Sequence, residues 1–130
     1  MKFATIKLND TVHPIIAVDE KKPKFLNDIL NILNLPKYES LQKFIQKTNR
    51  DISLWQKIQA KASSAPNINI DGCKWLPPIQ RPNKILGVAF NNKELMKKAH
   101  KDPGVPNFFL KPSSCLIGHQ EKIIVDPSWG

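Results

Sequence analysis

The alternation of apolar and polar residues at the start of the chain predicts a β-hairpin. Residues 3–8 alternate loosely between the two classes, and residues 12–18 form a second apolar run. Asn9 and Asp10 separate the two runs, and both residue types are common in the tight turns that join antiparallel strands. We therefore expect two paired strands at the start of the chain.

Three helices are predicted by apolar residues that recur every three or four positions. Their apolar positions are Phe25, Leu26, Ile29, Leu30 and Leu33 in the first helix, Leu41, Phe44 and Ile45 in the second, and Ile52, Trp55, Ile58 and Ala62 in the third. Asn34 and Pro36 end the first pattern, and Ser40 is a favoured N-cap for the second. We interpret the three stripes as faces that pack in a core.

A change of composition after the third stripe predicts a linker. Residues 63–67 are rich in small residues and end in Pro-Asn, which favours a loop. Residues 68–72 follow with the pattern of a short strand and turn. The residues beyond them lead into a second region with a different pattern.

The second region has the pattern strand, helix, strand. Residues 84–90 begin with Lys84 and continue as an unbroken apolar run, which is typical of a strand covered on both faces. Asn92 can cap a short helix over residues 93–100. Residues 107–111 predict another strand, which Pro112 ends because proline has no backbone donor.

These elements predict a mixed α+β chain. We expect a small N-terminal domain of hairpin and helices at residues 1–66, a linker at residues 67–80, and the first strands of a β-rich domain at residues 81–130. We expect that second sheet to be incomplete. Since unpaired strand edges invite association, we also expect either a homodimer or a companion segment C-terminal to these residues.

The formal net charge of +9 raises the question of anionic partners. All but two of the 20 basic residues are lysines, the exceptions being Arg50 and Arg81, and arginine is the better reader of bases and phosphates. Basic residues concentrate only at residues 81–101, where no aromatic platform accompanies them. We therefore expect no nucleic acid and interpret the lysines as a solvated surface, with attraction of small anions as the alternative.

The compartment expected from the sequence is the cytoplasm. No run of 18 apolar residues exists, and the first residues lack the apolar stretch of a signal peptide. Neither membrane insertion nor secretion is therefore expected. Cys73 and Cys115 are far apart in the sequence, and we expect both thiols to be free.

Two motifs in the second region resemble a known enzyme family. Residues 75–91 read WLPPIQRPNKILGVAFN, residues 106–114 read PNFFLKPSS, and Leu-Ile-Gly follows at residues 116–118. In order and spacing they resemble the start of the catalytic domain in the fumarylacetoacetate hydrolase family. The opening hairpin and helices are similar to the small leading domain of that family.

The resemblance implies a metal-dependent hydrolase or lyase of oxo acid catabolism. Members cleave carbon–carbon bonds, or hydrate, isomerise or decarboxylate, in small 2-oxo and diketo acids with Mg²⁺ or a similar divalent cation. The family's metal ligands, a Glu-x-Glu pair and a later Asp, would follow Gly130. The acids of residues 1–130 contain no alternating pair, so we expect no metal ligand here and no activity of this chain alone.

The resemblance also suggests candidate site residues. The His and Glu of many members would fall on Lys93 and Met96, which departs from the family pattern. Another branch implies Glu94 as an acid and His100 as a proton carrier, and the alternative is that both are exposed helix residues.

Substrate binding is expected at Lys111, Phe90 and Ser113. Lys111 ends an apolar strand, where an unpaired ammonium is costly to bury, so a small anionic substrate is one interpretation and an extended, solvated side chain is the other. A turn-forming role is the alternative for Ser113. The competing hypothesis for the whole chain is a non-catalytic module that binds anions or mediates oligomerisation.

Overall fold

The structure, a computed structural model, describes residues 1–19, 21–49, 51–98 and 104–129. The chain divides into two units, one of Met1–Gln80 with Ile117–Gly130 and the other of Arg81–Leu116. In the described part, no helix is both long enough and apolar enough to cross a lipid bilayer. The predicted boundaries at residues 66 and 80 stay a prediction.

The first unit contains an antiparallel sheet of four strands. They are β1 (Lys2–Leu8), β2 (Thr11–Ala17), β3 (Lys24–Phe25) and β4 (Lys74–Leu76), and their order in the sheet is β3-β2-β1-β4. Asn9 and Asp10 join β1 to β2 with φ angles of 47° and 62°, the left-handed conformation that two-residue hairpin turns need. The predicted hairpin is confirmed.

Three helices follow the hairpin, as predicted, except that Phe25, assigned to the first helix from the sequence, lies in β3 and precedes α1. They are α1 (Leu26–Ile32), α2 (Leu41–Thr48) and α3 (Ile52–Lys61). The Ser40 hydroxyl accepts a hydrogen bond from the Lys43 amide at 3.2 Å, and Asp51 Oδ1 accepts one from the Leu54 amide at 3.1 Å. Both N-caps satisfy amides that have no partner inside the helix.

The core of the first unit lies between these helices and one face of the sheet. Its buried residues are Ile16, Leu26, Ile29, Leu30, Leu41, Phe44, Ile58, Ala62 and Ala65. Phe3, which pairs with Ile16 across the hairpin, packs its ring 5.8 Å from those of Phe44 and Trp55. The interpretation of the stripes as core faces is thus confirmed, except that Ile52 at the start of α3 is 70% exposed.

The C-terminal residues of the first unit contact β4 through an ion pair and a close backbone approach. Lys74 and Glu121 form an ion pair at 2.5 Å, and the other oxygen of Glu121 accepts a hydrogen bond from the Gly118 amide. Gly118 is so close to the Trp75 carbonyl that a Cβ atom at position 118 would overlap it.

The prediction of a strand at residues 68–72 is wrong, because the segment that pairs with β1 is Lys74–Leu76.

The second unit is a β-hairpin with one short helix in its connection. Strand β5 (Ile85–Ala89) pairs antiparallel with β6 (Asn107–Lys111), and α4 (Lys93–Lys98) lies between them in sequence. Asn92 Oδ1 accepts a hydrogen bond from the Glu94 amide at 2.8 Å, so the predicted cap is confirmed. His100, at the predicted end of the helix, lies outside the described residues.

The fold class predicted from the sequence is confirmed at the level of a mixed α and β chain with antiparallel sheets. The expectation that β5 is covered on both faces is wrong, because Leu86 is 61% and Val88 is 42% exposed. An apolar run predicts a strand from its own residues, but it does not supply the second layer that would bury it.

Candidate functional site

One face of the hairpin in the second unit is apolar and open to solvent. Leu86 lies opposite Leu110 and Val88 lies opposite Phe108, and directly opposed residues of an antiparallel pair project from the same face. Leu110 is 70% and Phe108 is 65% exposed. We call these four side chains, Leu86, Val88, Phe108 and Leu110, the apolar face.

The opposite face of the same hairpin is partly covered by its own side chains. Gly87 lies opposite Phe109, and the Phe109 ring covers the position that a Cβ of Gly87 would occupy. The Lys111 ammonium lies 5.9 Å from the centre of the Phe109 ring, within the distance of a cation–π contact. The two faces therefore differ: the apolar face presents four exposed apolar side chains, whereas on the other face the Phe109 ring packs over Gly87 and beside Lys111, although Phe109 itself is 44% exposed.

A small cavity adjoins the end of β5. It has a volume of about 260 Å³, and its apolar lining residues are Val88, Ala89, Phe90, Met96, Val105 and Pro106. Val88 belongs both to this cavity and to the apolar face. The apolar surface thus extends from the hairpin to the beginning of its connection.

Basic residues dominate the second unit. Its described residues include one acid, Glu94, and six basic residues, namely Arg81, Lys84, Lys93, Lys97, Lys98 and Lys111. Lys84 directly precedes β5 and Lys111 ends β6, so these two cations lie at the same end of the hairpin. An approaching surface with carboxylates would be attracted to this unit.

The structure distributes the candidate residues from the sequence over separate parts of the second unit. Phe90 lines the small cavity with a φ angle of 53°, whereas Glu94, Lys111 and Ser113 are exposed and are not among its described lining residues. His100 lies outside the described residues. No described contact joins Glu94 to Lys111 or Ser113, and their predicted roles stay predictions.

The two cysteines are free thiols, as expected from the sequence. Burial, with a smaller contribution from the charge of Asp71, raises the pKa of the Cys73 thiol. A thiol with a raised pKa is a weaker nucleophile at neutral pH, since the thiolate is the reactive form. Cys73 therefore has the properties of a structural residue.

Sequence reasoning missed the apolar face as a surface. Leu86 and Val88 were assigned to a strand covered on both faces, and their opposition to Leu110 and Phe108 depends on a register that the sequence did not define. The sequence did contain one signal. Residues 84–90 and 107–111 carry apolar side chains at both odd and even positions, which project from opposite faces of a strand. Two short strands cannot bury both of their faces alone.

The fold and this site together define a small α and β chain with an open, apolar sheet face in a basic unit. Among the described residues, no group of three or more His, Cys, Asp and Glu side chains could hold a metal ion. No family model matches the chain.

A part of the chain is similar to a known enzyme. Over 50 residues it is 34% identical to adenylosuccinate lyase of Legionella pneumophila, in the Corby strain and in the Philadelphia 1 strain. The aligned stretch covers 38% of this chain and 11% of that enzyme. The chain thus spans about a tenth of the length of the curated relatives it matches, and a likeness of this extent does not show membership of their family.

The resemblance to the fumarylacetoacetate hydrolase family is wrong. No family model matches, and the enzyme to which a part of the chain is similar, adenylosuccinate lyase, is a different one. The physical reason lies in the motifs themselves, because local structure accounts for their residue types: Gly87 makes room for the Phe109 ring, and Pro112 follows the last residue of β6. Such residues recur wherever strands end and pack in this way.

Proposed function

We propose that this chain is a non-catalytic binding module whose apolar face docks an acidic, extended segment of a partner polypeptide. The observation that carries the proposal is the exposure of the four side chains of the apolar face, which ranges from 42% to 70% on one side of a two-stranded sheet. Apolar groups gathered on one exposed surface are characteristic of interaction sites. The predicted role as a non-catalytic interaction module is the hypothesis that we retain.

The backbone of the hairpin favours an extended segment over a helix. Among the described residues β5 pairs only with β6, so each strand has an outer edge without a neighbouring strand. A peptide added to such an edge gains backbone hydrogen bonds, and its alternate side chains then continue one face of the sheet. Apolar residues at every second position would extend the apolar face.

Charge favours an acidic partner over a second copy of this chain. In the second unit, six described basic residues outnumber a single described acid. Two copies joined through this surface would therefore bring two positively charged units together. A segment with carboxylates at its other positions would instead complement Lys84, Lys111 and the lysines of α4. We therefore propose a companion polypeptide and not a homodimer.

The proposal keeps the cytoplasm as the compartment, and the two free thiols support it. It does not include the hydrolase or lyase activity on oxo acids, nor the Mg²⁺, that the sequence led us to expect. Those expectations depended on the resemblance to the fumarylacetoacetate hydrolase family, which is wrong, and they stay untested predictions.

A peptide-binding experiment tests the proposal. The probe is a fluorescein-labelled peptide of alternating valine and glutamate, and the comparison peptide has lysine in place of glutamate. We expect saturable fluorescence anisotropy with the acidic peptide, weaker binding at higher salt because the charges are exposed, and no saturation with the basic peptide. Equal binding of the two peptides, or of neither, would contradict the proposal.

Matched substitutions locate the site. Leu110→Gln removes an apolar side chain from the face, and Ile124→Gln alters a residue of the other unit that is 90% exposed. We expect Leu110→Gln to weaken peptide binding about tenfold, since a central apolar contact contributes on the order of 1–2 kcal/mol, and Ile124→Gln to leave it unchanged. A dimer in sedimentation that Leu110→Gln dissociates would overturn the choice of partner.

A further inference from the structure

A second cavity lies in the first unit and shares no residue with the apolar face. Its volume is about 390 Å³, which is at the lower end of the range for small-molecule sites. Its polar lining residues are Asp19, Lys22, Lys24, Gln59, Ser63 and Asn67. They come from the turn between β2 and β3, from β3 itself, from the end of α3 and from the segment that follows α3.

Lys24 is the unusual member of this set. It is only 8% exposed, although lysine is rarely buried without a partner. The side chain of Lys24 donates a hydrogen bond to the carbonyl oxygen of Ala65, which is the acceptor seen among the described residues. An ammonium group has three donors, and a single neutral acceptor compensates only part of the cost of burying its charge.

An anion in the cavity would supply what the Ala65 carbonyl does not. A carboxylate can accept hydrogen bonds and neutralise the charge at once, and such charge-assisted bonds are stronger than neutral ones. Lys22, which is exposed on the cavity wall, adds a second cation. Ser63, Asn67 and Gln59 are neutral donors that can share the oxygens of the same anion.

Asp19 limits which anion fits. Its Oδ1 accepts a hydrogen bond from the Lys21 amide at 3.0 Å, and its carbonyl oxygen accepts one from the Lys22 amide at 3.0 Å, so the turn fixes its position. A carboxylate in the wall repels a phosphate dianion but accepts a hydrogen bond from a hydroxyl or ammonium group. The lining thus combines a site for an anion with a site for a donor.

We propose that this cavity binds a small carboxylic acid that also carries a hydrogen-bond donor, that is, a hydroxy or amino acid. Lys24 binds the carboxylate group, and Asp19 accepts the hydrogen bond from the hydroxyl or ammonium group. The site is independent of the apolar face, since it lies in the other unit. Either proposal can therefore fail without the other.

Amide chemical shifts of the full chain test this site. The probes are sodium lactate and sodium 2-hydroxyisocaproate, and each has a control of the same size without the hydroxyl, propionate and isocaproate. We expect saturable shifts at residues 22–24 and 63–67 with the hydroxy acids, at least threefold weaker binding of the controls, and no saturation with phosphate or chloride at equal ionic strength. Shifts that do not saturate with either hydroxy acid would overturn the proposal.

Substitutions assign the two roles. Lys24→Met removes the charge at nearly constant length, and Lys61→Met removes an exposed lysine at the end of α3. We expect Lys24→Met to weaken hydroxy-acid binding at least tenfold and Lys61→Met to leave it unchanged; unchanged binding in Lys24→Met would refute the site.

A second substitution keeps the test decisive if Lys24→Met does not fold. Asp19→Asn retains an oxygen that can accept the hydrogen bond from the Lys21 amide, so the turn should persist. We expect this variant to bind lactate and propionate with equal affinity, since the charged acceptor for the hydroxyl is gone. A preference for lactate that is unchanged from the parent chain would contradict the role of Asp19.

Discussion

At the scale of single residues, the contact of Gly118 with β4 shows why a residue type can be required without any role in binding. Gly118 is buried, and the Trp75 carbonyl occupies the space in which a Cβ would lie. Sequence alone predicts a turn from glycine, but it does not reveal which distant backbone comes this close. The same is true of Lys24, whose burial depends on Ala65, 41 residues away.

Gly118→Ala should therefore destabilise the first unit. We expect a loss of about 1–3 kcal/mol in the free energy of unfolding, because either the segment or β4 must move to admit the methyl group. Urea denaturation followed by tryptophan fluorescence measures it. Lys122→Ala, an exposed neighbour, is the control and should stay within about 0.5 kcal/mol of the parent chain; equal stability of the two variants would contradict the contact.

The ion pair between Lys74 and Glu121 should depend on pH. The hydrogen bond from the Lys74 side chain, and after it that from the Gly118 amide, lowers the pKa of the Glu121 carboxyl. A carboxyl with a lowered pKa in the folded state stabilises that state above its unfolded pKa, which is about 4.3. This contribution is lost as pH falls through the lower, folded pKa.

We expect the carbon resonance of the Glu121 carboxyl to titrate with a midpoint below that of an unstructured glutamate. The stability of the first unit should fall less on acidification in Glu121→Gln than in the parent chain. Lys74→Met should move the midpoint of Glu121 upward, since it removes the cause that contributes most. A midpoint at or above the value of free glutamate would show that the ion pair is absent in solution.

At the scale of secondary structure, the local signals in the sequence predicted the hairpin turn and two helix caps, but not strands β3 and β4. The two-residue turn after β1, the cap at Ser40 and the cap at Asn92 each depend on neighbouring residues, and all three were predicted. The sequence also did not predict which faces of these elements are buried by other elements. The helical period gives the direction of Ile52 and Ile58 on α3, but whether another element packs against each end of the helix is a tertiary property.

Two isoleucines on α3 offer a matched test of this distinction. Ile58 is fully buried and Ile52 is 70% exposed, so the same change to alanine removes the same atoms from different surroundings. We expect Ile58→Ala to cost about 2–5 kcal/mol, from lost burial and the cavity left behind, and Ile52→Ala to stay within about 0.5 kcal/mol of the parent chain. Thermal or urea unfolding measures both, and similar losses would contradict the packing of α3.

At the scale of the whole molecule, the fold class was predictable and the family was not. Antiparallel pairing and amphipathic helices follow from periodicity, whereas the fumarylacetoacetate hydrolase motifs consisted of strand-ending prolines, a glycine and apolar runs that local structure explains. Glu94 was a catalytic candidate and Lys111 and Ser113 were substrate-binding candidates; Glu94 lies on α4, Lys111 ends β6 and Ser113 begins the turn after it, and no described contact joins Glu94 to the other two. The apolar face became recognisable only once the register of β5 and β6 was known.

The most direct measurement of the central claim is hydrogen exchange of the backbone amides in the full chain, with and without the acidic valine–glutamate peptide. If the peptide adds to an edge of the hairpin, amides of β5 or of β6 slow down while those of β1 and β2 keep their rates. Unchanged exchange in residues 85–89 and 107–111 at peptide concentrations that saturate the anisotropy signal would contradict the account.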